Sequence, residues 1–211
     1  MLDTIALLLT GAVAAYLLWR FWGRYSKEKA LYDVYYMMGF AVLLVSGLLL
    51  IFLGLGILES PYVLTVATLI PLGISMGLME QYLPAYKKLF KWFALLGFLA
   101  IAASAIGGLE LVKKISVPVF HGVAGLVIFL LPFFVAGKVP DASTGKKAAK
   151  DFWWVGIGGG LIGLGGIALA FLSAGAQLLF FSESFVMLIL TPLLLLMTLA
   201  FTFGFVKDIV K

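Results

Sequence analysis

Residues 34–53 read VYYMMGFAVLLVSGLLLIFL, and this stretch contains no charged side chain. An α-helix rises about 1.5 Å per residue, so about 20 apolar residues cross the hydrocarbon core of a bilayer. Six further stretches have the same character. The predicted spans are residues 3–22, 33–57, 62–83, 91–111, 117–137, 152–177 and 184–207. The sequence therefore predicts an all-α, polytopic membrane protein with seven transmembrane helices.

The composition of the whole chain supports this prediction. Of its 211 residues, 64% are hydrophobic and 12% are charged, and the mean hydropathy is +1.16. Soluble domains are about 45–50% apolar and about 25% charged, so these few charges cannot cover a water-exposed surface. A soluble enzyme and a nucleic-acid-binding module are excluded. The chain has no Cys or Asn and only two Gln, which is typical of a thermophilic protein.

The basic residues are concentrated in alternate connections between the predicted spans. Thirteen of the fifteen follow spans one, three, five and seven, and only Lys113 and Lys114 fall on the other side. The positive-inside rule places the side with thirteen in the cytoplasm. We therefore expect a cell-membrane protein with its N-terminus outside and its C-terminus inside. This topology explains the positive charge, so the lipid bilayer is an expected partner and nucleic acid is not.

Two parts of the chain resemble each other. Residues 29–36, KALYDVYY, align with residues 147–154, KAAKDFWW, and each has an acid and an aromatic pair at the start of a helix. The pattern of a Pro followed five residues later by Met also recurs, at Pro71 and Pro192. We predict one transmembrane domain over residues 1–211 with a parallel repeat. Its parts are a three-helix unit (1–83), a linker helix (91–111) and a second three-helix unit (117–207).

This three-one-three layout, with the N-terminus outside, resembles that of SWEET-type sugar transporters. The chain departs from that family because Pro71 and Pro192 lie in the third helix of each half, and because it has no Asn for a sugar pocket. Sugar specificity is therefore not implied. The opening residues 1–3 (MLD), with Gly-Phe at 39–40 and Gly-Leu at 47–48, resemble uncharacterised archaeal membrane proteins. That resemblance implies a prokaryotic, archaeal-like source.

The two prolines and the threonines beside them mark a candidate transport path. A proline has no N–H group, so Pro71 and Pro192 each leave free the carbonyl four residues back. Thr68 and Thr191 lie close enough to hydrogen-bond the freed backbone groups. Two interpretations stay open: paired hinges around a central path, or static kinks.

Glu80 is the deepest acid in the predicted spans, and Gln81 follows it directly. An acid inside a transmembrane helix is a candidate for binding a proton or a cation, with Gln81 as a polar neighbour. The alternative is that Glu80 reaches the cytoplasmic interface and pairs with Lys87 or Lys88. In that case it anchors the helix and transports nothing.

Glu110 and His121 are predicted at the outer ends of spans four and five. Across a short loop they could meet as an outer polar cluster. His121 is the only histidine of the chain, and scattered acids around one His make a weak ligand set. We therefore expect no metal site and no bound cofactor.

Span six contains the glycine-rich run GIGGGLIGLGG at residues 156–166. Gly156 with Gly160, and Gly159 with Gly163, are small-xxx-small pairs, which allow two helices to approach closely. The partner helix belongs either to the same chain or to a second copy in a homo-oligomer.

The function expected from these features is a transporter or channel for a small solute or ion. A non-catalytic membrane scaffold or complex subunit is the alternative, because few polar residues face any path. An enzyme is not expected. Intramembrane catalysis needs a nucleophile, an acid pair or a metal, and the chain has no Cys and one His.

Overall fold

The computed structural model of the chain describes residues 2–173 and 183–210, and these residues are largely helical. Two short 3-10 helices, Leu55–Glu59 and Lys150–Phe152, lie between longer elements. The α-helices in the described residues are α1 Leu2–Glu28, α2 Leu31–Leu53, α3 Pro61–Ala67, α4 Leu69–Tyr82, α5 Lys87–Ile106, α6 Glu110–Val135, α7 Trp153–Ser173 and α8 Glu183–Val210.

Six stretches within the described residues are long and apolar enough to cross a membrane. They are Asp3–Glu28, Leu31–Leu53, Pro61–Tyr82, Lys87–Ile106, Glu110–Val135 and Leu188–Val210. This is the architecture of a multi-pass helical membrane protein. The remaining predicted span, 152–177, corresponds to α7, which has 21 residues. Residues 174–177 of that span lie outside the described residues, as does Lys211.

The third span is divided into α3 and α4 at Thr68. Pro71 cannot donate a hydrogen bond to the carbonyl of Ala67, so the helix is weakened at this point. The Thr68 hydroxyl donates to the Thr65 carbonyl at 2.7 Å. It therefore does not serve the carbonyl that Pro71 leaves free.

The boundary between the predicted spans four and five is wrong by several residues. α5 is Lys87–Ile106 rather than 91–111, and α6 begins at Glu110 rather than at residue 117. The cause is the turn at Gly107 and Gly108, where Gly108 has a φ of 68°, a left-handed conformation that favours glycine. Glu110 therefore belongs to the first turn of α6.

Six segments of helix form a closed ring. In order around the ring, α1 packs on α2, α2 on α4, α4 on α6, α6 on α7, α7 on α8, and α8 on α1. α5 lies outside the ring, against α3, α4 and α6. We call the end of the ring where α1 ends and α2 begins the inner end, because the charge pattern predicts that it faces the cytoplasm. The opposite end is the outer end.

Five buried aromatic side chains fill the ring on the inner side of its middle. We call them the aromatic layer: Phe21, Tyr36, Phe40, Phe201 and Phe205. Phe205 packs at its centre, with ring centroids 5.2 Å from Phe21 and 4.7 Å from Tyr36. These tilted and edge-on contacts are the arrangements that aromatic rings prefer. The layer joins α1, α2 and α8 across the axis of the ring.

Candidate functional site

A buried ion pair lies at the inner end, beside the aromatic layer. Arg24 of α1 is 6% exposed, and its guanidinium contacts carboxylates from two other helices. Nη2 and Nε donate to Asp33 Oδ1 at 2.7 and 3.0 Å, and Nη1 donates to Asp208 Oδ2 at 3.3 Å. The planar guanidinium suits this forked contact. Arg24 thereby links α1 to α2 and α8.

Gln81 of α4 links the ion pair to the connection between α6 and α7. Its Nε2 donates to Asp141 Oδ2 at 2.8 Å and to Asp208 Oδ2 at 3.1 Å. Its Oε1 accepts a hydrogen bond from the Tyr36 hydroxyl at 2.7 Å. Asp141 lies in the connection between α6 and α7, so the fully buried Gln81 holds this connection against the end of the ring.

Two further tyrosine hydroxyls donate hydrogen bonds to the carboxylates of Asp141 and Asp208. Tyr32 donates to Asp141 Oδ2 at 2.8 Å, and Tyr82 donates to Asp208 Oδ2 at 3.1 Å. The backbone N–H of Ala149 donates to the other oxygen of Asp208 at 3.0 Å. We call the whole set the inner network: Arg24, Tyr32, Asp33, Tyr36, Gln81, Tyr82, Asp141 and Asp208. Its side chains are buried, so together with the aromatic layer it seals the inner end of the ring.

A cavity of about 160 Å³ lies in the outer half of the ring. Most of its wall is apolar, with residues such as Leu43, Ile70, Pro71, Ile162, Leu190 and Met197. Among the described residues, the polar side chains on the wall are those of Thr10, Ser46 and His121. The Thr10 hydroxyl already donates to the Ala6 carbonyl of its own helix at 2.8 Å. The cavity thus offers a ligand an apolar surface with few hydrogen-bonding atoms.

The imidazole of His121 contributes to the wall of this cavity. Its Nε2 is inaccessible to solvent and has no hydrogen-bond partner among the residues that the structure describes. The imidazole lies against α7 at Gly166, where an added Cβ would stand 2.7 Å from Nε2. A buried polar atom without a partner is uncommon in folded proteins and calls for an explanation.

The predicted path residues do not form one path. Pro71 lies on the cavity wall and Gln81 in the inner network. Thr68 and Thr191 are buried in the core, whereas Pro192 is exposed on the surface of α8. The structure therefore divides these residues between the cavity, the inner end and the outside of the bundle.

Glu80 points away from the inner network and pairs with two lysines of α5. Its Oε1 lies 2.8 Å from Lys87 Nζ, and its Oε2 lies 2.6 Å from Lys91 Nζ. This geometry favours the anchoring interpretation. The partners of Glu80 are Lys87, as the sequence suggested, and Lys91 instead of Lys88. Glu80 ties α4 to the helix outside the ring.

We expect Glu80→Gln to leave proton movement across reconstituted vesicles unchanged, as read with a pH-sensitive dye. The variant should lower the free energy of unfolding by about 1 kcal/mol or less, because both lysines are about one third exposed and their pairing is weakened by water. Lys88→Gln, outside this ion pair, is the control. Proton movement that only the Glu80 variant abolishes would contradict the anchoring interpretation.

The predicted outer polar cluster of Glu110 and His121 is not formed. Both residues belong to α6, eleven positions or about 16 Å of helix apart. Glu110 Oε1 pairs with Lys113 Nζ at 2.8 Å, while His121 faces the cavity. Within the described ranges, no three His, Cys, Asp or Glu side chains are grouped to hold a metal ion.

The glycine-rich face of α7 packs against α6. An added Cβ would lie 2.6 Å from the Ile128 backbone at Gly159 and 2.7 Å from the Phe129 carbonyl oxygen at Gly156. At Gly160 it would lie 3.3 Å from the Phe129 ring, and at Gly163 it would meet nothing within 4 Å. A homo-oligomer through the same glycines would compete with this contact.

The inner network is the feature that the sequence analysis missed. Arg24 was used only as one of the basic residues that predict the orientation. Asp33 was used only as the acid at a helix start that aligns with Asp151. In the structure Asp33 is fully buried, whereas Asp151 is exposed. The available signal was the presence of Arg24, Asp33 and Asp208 at the very ends of apolar spans, where a charge close to the hydrocarbon requires a partner.

Comparison of the chain with protein-family models, curated proteins and solved structures finds no match. The fold and the site nevertheless define a class: a multi-pass helical membrane protein with a cavity in its outer half and a sealed inner end.

Proposed function

We propose that this protein is a small-solute transporter, in which the cavity holds the solute and the inner network forms a closed gate. The observation that carries the proposal is the order of layers along the ring: cavity, aromatic layer, inner network. A solute in the cavity is separated from the inner end by packed side chains. Alternating access requires one state of this kind, open to one side only.

The order of helix contacts supports a parallel repeat, on which many transporters are built. α1 packs on α2 as α6 packs on α7, and α2 packs on α4 as α7 packs on α8. The two contacts between the units also correspond: α1 packs on α8, and α6 packs on α4. Both units line the cavity, through Thr10, Leu43 and Pro71 on one side and His121, Ile162 and Leu190 on the other. Transporter sites commonly lie at such an interface between repeats.

The chemistry of the inner network suits a gate that opens. Asp208 of the second unit contacts Arg24 and Gln81 of the first, so these contacts must separate when the inner end opens. Water can replace a protein hydrogen bond, so even one to a charged group contributes a net of only about 1.5–3 kcal/mol. A polar seal can therefore exchange with a hydrated open state at modest cost, which an apolar seal of the same area cannot.

We expect a cysteine placed at Ser46, on the cavity wall, to react with a small cationic methanethiosulfonate reagent added from outside the membrane. The chain has no Cys, so the background reaction is zero. Gly122→Cys, on an exposed face of α6, is the control and should not react, because lipid excludes the charged reagent. A Ser46→Cys chain that reacts from neither side would favour the scaffold alternative over transport.

Weakening the gate should expose the same cysteine to the inner side. Tyr82→Phe removes one hydrogen bond to the Asp208 carboxylate, and we expect it to raise the rate of Ser46→Cys labelling from inside by about 10–100-fold. Tyr86→Phe, exposed and outside the network, should leave the rate unchanged. Equal rates in the two variants would show that the inner network is not a gate.

A further inference from the structure

We infer that the connection between α6 and α7 binds the headgroup of an anionic phospholipid, and that Lys138 and Lys150 hold its phosphate. The partner is thus the charged surface of the bilayer that surrounds the helices. This inference goes beyond the proposed transport and does not depend on it, because lipid binding at this surface needs neither the cavity nor the gate.

Residues 137–148 of this connection form a short hairpin at the inner end. The backbone N–H of Ala148 donates to the Val139 carbonyl at 2.9 Å, and that of Gly137 donates to the Ala148 carbonyl at 3.1 Å. The buried Asp141 fixes the hairpin to the inner network through two hydrogen bonds. The hairpin therefore presents its lysines from a backbone that is held in place, which lowers the cost of ordering them around a ligand.

Lys138 and Lys150 come together at the base of the hairpin, where it joins the two helices. Lys138 follows the end of α6 at Val135, and Lys150 precedes the start of α7 at Trp153. A Cβ added at Gly137, the neighbour of Lys138, would stand 3.3 Å from Cγ of Lys150. Both lysines are exposed. Because both helices end here, the two ammonium groups lie within reach of the lipid headgroups.

No acid neutralises these two lysines among the residues that the structure describes. The lysines with a described ion pair are Lys87, Lys91 and Lys113, all in other helices. Asp151 directly follows Lys150 but forms no described ion pair with it. Two neighbouring ammonium groups repel each other, and a phosphate bound by both removes that repulsion.

Two tryptophans set the depth of this site in the membrane. Trp153 and Trp154 are exposed at the start of α7, and their ring centroids lie 4.6 Å apart. Tryptophan is enriched at the level of the headgroups, and lysines clustered at the end of a transmembrane helix attract anionic lipids. A nucleic acid is also an anion, but its binding would not need tryptophans beside the lysines. A lipid headgroup is therefore the partner that fits.

The test measures lipid binding to the full chain in a neutral detergent by native mass spectrometry. The anionic probe is dioctanoyl phosphatidylglycerol, and dioctanoyl phosphatidylcholine has the same chains without net charge. We expect Lys138→Gln with Lys150→Gln to weaken phosphatidylglycerol binding about 5–25-fold, because each lysine near an anionic lipid surface contributes a factor of about five. Binding of phosphatidylcholine should not change.

Lys27→Gln with Lys88→Gln is the charge-matched control. These lysines are exposed at the inner end on α1 and α5, and neither forms an ion pair among the described residues. We expect this variant to change phosphatidylglycerol binding by less than about twofold, because water and salt screen exposed charges that lie apart from the site. Both double variants should unfold at the temperature of the original chain, since all four side chains are exposed.

Three results would overturn the inference. The first is an equal loss of phosphatidylglycerol binding in the two double variants, which would show that only the total charge matters. The second is phosphatidylcholine binding as tight as that of phosphatidylglycerol. The third is tighter binding of a single-stranded RNA, lost with Lys138→Gln and Lys150→Gln, which would assign these lysines to nucleic acid. Labelling of Ser46→Cys tests the transporter alone, so either proposal can fail without the other.

Discussion

Replacement of Arg24 by methionine is expected to lower the free energy of unfolding by about 3–5 kcal/mol, measured by denaturant titration in detergent. The side chain of Arg24 is 5% exposed and that of Asp33 is fully buried. Methionine fills a similar volume but leaves Asp33 and Asp208 without their guanidinium. Breaking a buried ion pair by removing one partner costs this much because a desolvated charge remains.

Arg20→Met is the matched control, one helical turn away on α1. The Arg20 guanidinium lies 5.9 Å from the ring centres of Tyr16 and Trp19, a contact worth about 0.5–1 kcal/mol at an exposed site. The double variant Arg24→Met with Asp33→Asn should recover part of the loss, because the amide leaves no buried charge at that position. Equal losses for the Arg20 and Arg24 variants would contradict the buried ion pair.

Substitution of Gly159 by alanine is expected to destabilise the fold by about 2–3 kcal/mol. The added Cβ would stand 2.6 Å from the Ile128 carbonyl carbon and 2.7 Å from the Phe129 nitrogen. Both atoms are backbone, so α6 and α7 would have to separate, and forced overpacking costs about 1–3 kcal/mol. Thermal unfolding in detergent measures the change.

Gly163→Ala provides the control four residues further along α7. An added Cβ there meets nothing within 4 Å, and alanine forms helix better than glycine by about 1 kcal/mol. We therefore expect this variant to be neutral or stabilising. Gly160→Ala should fall between the two, because the Phe129 ring at 3.3 Å can shift slightly. A similar effect at Gly159 and Gly163 would refute the close contact of α6 with α7.

The cavity and the inner network, the two parts of the candidate site, are expected to respond differently to substitution. The cavity wall is mostly apolar, so its occupancy depends mainly on the size and shape of a ligand. The inner network joins four helices and one connection through charged and neutral hydrogen bonds. Loss of one hydroxyl, as in Tyr82→Phe, shifts a gate, whereas loss of the Arg24 charge threatens the fold.

Much of the architecture could be predicted from the sequence, because helix formation in a membrane depends on local composition. An apolar stretch of about 20 residues must form a helix there to satisfy its own backbone hydrogen bonds. Residues 34–53 and the other apolar stretches therefore indicated the helices with few errors. The main error, at the start of α6, came from the turn at Gly108, whose left-handed φ has no signature in hydropathy.

The candidate site could not be predicted in the same way, because its residues are distant in the chain. Arg24 and Asp208 are 184 positions apart and meet only because α1 packs on α8. Gln81 was singled out as a neighbour of Glu80, but the two side chains point in different directions from α4, one into the inner network and one toward α5. His121 likewise faces a cavity that exists only between packed helices. Hydropathy and charge along the chain determined that this protein is a bundle of membrane helices. Only the packing of those helices decided which polar side chains meet, because a buried polar group contacts its partner across the bundle and not along the sequence.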